Sequence, residues 1–154
     1  MYSAALFSIS SYIQMLEDKD MAALSGSCLC GNVRFEIADN FDHFQFCFCT
    51  QCQKSTGTGH ASNLFTDPIN ITWLSGEEDL IRYDVPERRI SNVFCKQCGS
   101  RMPWLSLSGD TLAVPAGCLD HTPQLKPQAK IFWPERPDWY DFGSTAPTHD
   151  RFSS

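Results

Sequence analysis

The stretch FCFCTQC, residues 46–52, brings Cys47, Cys49 and Cys52 within six positions of one another. A structural zinc site is closed by four ligands in a tetrahedron; a catalytic one keeps three protein ligands and an open position. The run HFQFCFC (43–49) alternates, with Phe44, Phe46 and Phe48 on one face and Gln45, Cys47 and Cys49 on the other. Two residues apart on a strand, side chains point the same way, so a C-x-C pair can offer both sulfurs to one ion. Three thiols held this way make a chelating face with one corner missing. Whether that corner is filled from within the protein depends on the other cysteines.

Four more cysteines are grouped. Cys28 and Cys30 lie in CLCG, and Cys95 and Cys98 in CKQCG, while Cys118 stands alone in AGCLD. Gly99 after the second pair permits a tight knuckle that most residues resist. Disulfides fit this pattern badly, because a bridge within C-x-C strains an extended strand. A redox C-x-x-C accounts for one group and leaves the others without a role. Zinc accounts for all three, and seven ligands make one closed four-cysteine site and one three-cysteine site. In one partition the pairs 28/30 and 95/98 close a site, leaving the triple. A rival joins 49/52 with 95/98 as a zinc ribbon and leaves 28, 30 and 47. Spacing alone leaves both open.

Around the cysteines the sequence reads as short strands. NVRFEIA sets Val33, Phe35 and Ile37 against Arg34 and Glu36, as a half-buried strand does. HASNLF, NITWL, DLIRYDV, RISNVF, MPWLSL and TLAVPAG are further strand candidates, separated by Gly and Pro. The expected class is all-β with little helix. Before it, Leu6, Ile9, Ile13 and Leu16 are spaced as one face of a short amphipathic helix. The expected organisation is an N-terminal extension (1–24), a zinc-binding domain (25–141) and a C-terminal tail (142–154), with the turn-rich stretch after Trp139 expected to fray.

The chain of 154 residues carries 12 basic and 18 acidic residues, a net charge of −6. Phosphate-backbone binding needs clustered Lys and Arg. The nearest approach is ERR, Glu87–Arg89, read as a solvated turn, so no nucleic-acid partner is expected. No apolar run is long enough for a membrane, and the first 20 residues lack the marks of a secretory or mitochondrial leader. A cytoplasmic location is expected, with the nucleus as the alternative. In either, clustered cysteines point to metal or catalysis.

SGSCLCGNVRF, FCFCTQCQKSTGTGHASNLF and VFCKQCGSRM together resemble the glutathione-dependent formaldehyde-activating enzyme family, which includes centromere protein V-like proteins. The likeness runs from about Ser25 to about Asp141 and includes all seven clustered cysteines in order. It implies a β-tent fold, a structural zinc on Cys28, Cys30, Cys95 and Cys98, and a second zinc on Cys47, Cys49 and Cys52. It also implies carbon–sulfur lyase activity, with S-hydroxymethylglutathione as the namesake substrate. Two positions depart from the family pattern: Phe48 stands where the triple usually reads Cys-His-Cys, and Lys130 in KIF where the family tends to carry His. Each removes an imidazole, which bears on substrate chemistry and leaves zinc ligation untouched. Cys118, at a position usually small or hydroxylated, reads as a packed thiol.

Three thiolates on zinc give a centre of net charge −1, a weak Lewis acid better suited to a soft thiolate than to activating water. The expectation is that a small thiol such as glutathione completes the tetrahedron. Proton handling is then needed near the metal. Nearby in sequence are Lys54, suited to an anionic thiol's carboxylate, Ser55, and His60 as a base. The competing reading is a non-catalytic zinc-binding interaction module, which loss of two imidazoles favours and retention of the complete triple opposes.

Overall fold

A computed structural model describes residues 23–152; the helix expected before Met21 lies outside them. Among the described residues, ten short strands form three small sheets. The first contains β1 (Ala23–Ser27), β2 (Arg34–Ala38) and β5 (Ile71–Ser75), in the order β1-β2-β5. The second contains β3 (His43–Cys47), β4 (Ala61–Thr66), β8 (Trp104–Leu105), β9 (Leu112–Pro115) and β10 (Ala129–Ile131), in the order β10-β3-β4-β9-β8. The third is a hairpin of β6 (Leu80–Asp84) and β7 (Ser91–Cys95). All pairings are antiparallel except β10 with β3. Among the described residues there are two short α-helices, α1 (Thr50–Thr56) and α2 (Trp139–Gly143). The class is all-β.

The period-two patterns fold as expected. Val33, Phe35 and Ile37 are buried while Arg34 and Glu36 are exposed. They join Leu24, Phe44, Leu64, Val93, Met102 and Val114 in one core shared by all three sheets. Two expectations need adjustment. The strand HFQFCFC ends at Cys47, because Cys49 takes the N-cap position of α1 and turns the chain into a helix. The segment after Trp139, expected to fray, begins as helix α2, whose Tyr140 ring meets Phe48 at 4.9 Å. An aromatic anchor of this kind ties down an end that composition alone leaves loose.

One close approach has a measurable cost. A Cβ on Gly26 would lie 2.1 Å from the Cζ atom of Phe35, a ring with no exposure to solvent. Gly26→Ala is therefore expected to destabilise the fold by about 2–3 kcal/mol through overpacking. Denaturant unfolding at constant m-value measures this, and a change below about 0.5 kcal/mol would show that the ring has room to move.

Candidate metal centres and the cavity beside them

The structure gathers the seven clustered thiols into two groups, Cys28, Cys30, Cys95 and Cys98, and Cys47, Cys49 and Cys52. This is the four-plus-three partition, not the ribbon. Within each group all sulfurs lie within 4.8 Å of one another. Four sulfurs about 2.3 Å from a zinc ion are separated by about 3.8 Å. The Cys28–Cys30 and Cys30–Cys95 separations, 3.4 and 4.0 Å, bracket that value. All eight cysteines are free thiols. The donor set and spacing fit zinc, and both groups could hold an ion.

Local backbone chemistry explains each grip. Cys28 Sγ accepts from the Val33 N–H at 3.3 Å, an arrangement that favours thiolate. Cys95 and Cys98 sit on a knuckle where the Gly99 N–H donates to Cys95 O and the Cys95 N–H to Ser100 O. Gly99 has φ +73, the left-handed conformation its position in CKQCG predicts. The Ser100 side chain holds the Cys98 thiol down to about 5. In the triple, Cys49 Sγ caps α1 by accepting from the Cys52 N–H at 3.4 Å. Cys52, in the first turn, is thereby aimed back at the end of β3. Its sulfur lies within 4.8 Å of that of Cys47, and this neighbour holds the Cys47 pKa down to about 6. Cys118 does not join either group: it donates to Pro115 O at 2.9 Å, and burial pushes its pKa up to about 12.

A cavity of about 690 Å³ opens on the triple. Cys47, Cys49 and Cys52 line it together with Arg88, Arg89, Arg101, Trp104, Ile131 and Glu135. Glu135 Oε2 accepts from the Thr50 N–H at 2.9 Å. Among the described residues, the two non-glycine residues with positive φ are Glu87 (59°) and Phe132 (55°). Phe132 lines this cavity, and Glu87 immediately precedes Arg88. Backbone strain of this kind tends to gather at functional sites.

Neither proton carrier chosen from sequence lines this cavity. Lys54 is exposed on α1. Two residues along a helix is a rotation of about 200°, which carries it away from Cys52. His60 lines a second cavity, of about 780 Å³, together with Ser55. Ala61 pairs with Cys47 across β3 and β4, so His60, one residue away, faces the other side. There its ring stacks on Phe46 at 4.5 Å and lies 5.0 Å from Phe48. Burial, then the Lys130 ammonium, holds its pKa below the ordinary value. Phe48 packs away from the sulfurs, against His60, Trp133 and Tyr140. Lys130 lies over Trp133 at 4.9 Å, so both positions that depart from the family pattern meet one aromatic cluster.

The model of the family described as glutathione-dependent formaldehyde-activating enzyme matches residues 23–135, which include both sulfur groups. The chain belongs to the glutathione-dependent formaldehyde-activating enzyme family. A Halomonas elongata protein whose provisional name is glutathione-dependent formaldehyde-activating enzyme is 28% identical over 129 residues, 79% of this chain and 82% of its own length. A crystal structure of a Rhodobacter sphaeroides protein aligns with a TM-score of 0.53 at 20% identity, covering 70% of this chain and 98% of that one. That likeness is one of fold. For this family member, the residues that sequence reasoning missed are Arg88, Arg89, Arg101 and Glu135. Arg101 follows the knuckle directly, and its nearness to CKQCG was the available signal. Glu135 carries no local motif.

Proposed function

We propose that this family member is a zinc-dependent carbon–sulfur lyase acting on the adduct of a small thiol with an aldehyde, of the S-hydroxymethylglutathione type. The observation that carries the reading is the three-cysteine group opening onto a cavity of ligand size while the other four cysteines form a group of their own. Cys47, Cys49 and Cys52 would hold one zinc ion and Cys28, Cys30, Cys95 and Cys98 a second, structural one. When bound to the triple, zinc would supply a position that accepts a fourth sulfur and stabilises it as thiolate.

Glu135 is the carboxylate lining this cavity and the residue we assign to proton handling. In the cleaving direction it takes the hydroxyl proton of the hemithioacetal. The carbon–oxygen double bond forms, the carbon–sulfur bond breaks, and its electron pair stays on the departing thiolate. In the adding direction the thiolate attacks the aldehyde carbon and Glu135 returns the proton. The hydrogen bond from Thr50 fixes the carboxylate beside α1, so this group is oriented before substrate enters.

Two measurements test the reading. X-ray absorption during glutathione titration is expected to show the mean metal–sulfur coordination number rising from 3.5 towards 4, as the average of four-sulfur and three-sulfur centres requires; no change at saturation overturns thiol ligation. Glu135→Gln is expected to lower kcat for thiol–formaldehyde exchange about 10²- to 10⁴-fold with zinc content unchanged, the usual range for a general base. A rate within about twofold of the parent's would remove Glu135 from the mechanism.

A further inference from the structure

The cavity beside the triple is more cationic than the chain that builds it. The protein carries a net charge of −6, yet three arginines, Arg88, Arg89 and Arg101, line this space, Arg101 standing also at the wall of the second cavity. The acidic residue lining it is Glu135, and one of its oxygens already accepts from Thr50. Three guanidinium charges against one carboxylate and a trithiolate zinc of charge −1 leave an excess of +1. An arrangement of this kind attracts an anion.

The arginines are unspent as well as clustered. Among the described residues, ion pairs are formed by Arg82, Lys96 and Arg136, and none by these three. Arg101 is the deepest, and its Nε and Nη1 atoms are buried without a hydrogen-bond partner. Its guanidinium lies 4.9 Å over the Trp104 ring, which orients it but satisfies none of its N–H groups. A buried N–H of a charged group left unpaired is costly, and a carboxylate is the partner whose geometry fits the guanidinium fork.

Arg88 and Arg89 are held at the mouth by the turn between β6 and β7. The Val85 N–H donates to Ile90 O at 2.9 Å and the Arg88 N–H to Val85 O at 3.1 Å. Ile90 packs on the sulfur group itself, so the turn is fastened over the triple, not left to wave in solvent.

We propose that Arg88, Arg89 and Arg101 select the substrate thiol by a carboxylate it carries, so that anionic thiols bind ahead of neutral and cationic ones of equal length. This assignment rests on thiol binding at Cys47, Cys49 and Cys52. Arg101 takes the carboxylate that reaches deepest, and the paired arginines of the turn draw in and hold negative charge at the rim.

The test uses the cobalt-substituted full chain, whose absorption reports a fourth sulfur. It is titrated with 3-mercaptopropionate, 3-mercaptopropanol and 3-aminopropanethiol at matched thiolate concentration. In the parent protein the carboxylate thiol is expected to bind about tenfold more tightly than the alcohol, and the amine most weakly. High salt shrinks the preference. In Arg88→Gln/Arg89→Gln the carboxylate-to-alcohol ratio is expected to fall to about three, and in Arg101→Lys, which keeps the charge but loses the fork, to about the same value. Equal affinities for all three thiols in the parent protein overturn the arginine assignment and leave the lyase reading intact. So does an undiminished ratio in both folded variants. No spectral response to any thiol overturns the assignment and the lyase reading together.

Discussion

Cys95→Ser is expected to yield a protein with no cooperative unfolding transition and less than about one zinc per chain. Cys95 has no exposure to solvent, and its sulfur sits 4.0 Å from that of Cys30. It also ends β7, the strand that pairs with β6 and receives the knuckle. The four-cysteine group joins segments 65 residues apart, from Cys30 to Cys95. Metal binding at such a group is folding free energy, on the order of 10 kcal/mol for structural zinc, which exceeds the net stability of many domains. Far-ultraviolet dichroism on heating, with zinc measured by elemental analysis, provides the check. A variant that melts cooperatively within about 3 °C of the parent would show that the strands hold without this site.

Cys49→Ser is expected to behave differently. Zinc should fall from about two ions per chain to about one, and thiol-dependent aldehyde turnover by at least about a hundredfold, while the melting curve stays cooperative. The triple sits at the end of β3 and the start of α1, in a small cluster with Ala61, Ile90 and Ile131, apart from the main core. Serine can still accept the Cys52 N–H as an N-cap, so the helix should survive the change. Retention of two zinc ions would break the assignment of Cys49 as a ligand. Unaltered turnover with one zinc ion would sink the lyase reading for that substrate. Together the two cysteine variants test whether one site holds the fold and the other serves turnover.

The sulfur groups were legible because their chemistry is local. C-x-C on a strand and C-x-x-C before glycine bring ligands together over two or three residues, and only the pairing of the groups needed the fold. The strands were legible for the same reason, since Val33, Phe35 and Ile37 declare their face by alternation alone. Nearness in sequence misled for Lys54 and His60. A helix rotates the first away from Cys52, and the strand pleat turns the second to the other side of the sheet. The groups that do line the cavity come from far away: Glu135 reaches Thr50 across 85 positions. Glu87–Arg89 was read as a solvated turn, and its side chains are exposed. What the sequence did not reveal is that the turn lies over the triple. Phe48, which alternation set on the face opposite Cys47 and Cys49, and Lys130, the other departure from the family pattern, share contact with Trp133 in the aromatic cluster.

The knuckle CKQCGSR has an architectural consequence beyond holding an ion. After Gly99 turns the chain, Arg101 forms a bridge with Phe94 and Met102 donates its N–H to Val93 O, so the segment doubles back along β7. Cys98 belongs to the four-sulfur group, while Arg101, three residues on, lines the cavity of the three-sulfur group as well as the second cavity. The chain between them is a short stiff bracket bolted at one end. Any looseness at the bolt reaches the bracket's tip as misalignment, so an ion lost from the four-sulfur group would shift Arg101 as well as loosen the strands it fastens. The anchor and the tool are a single piece.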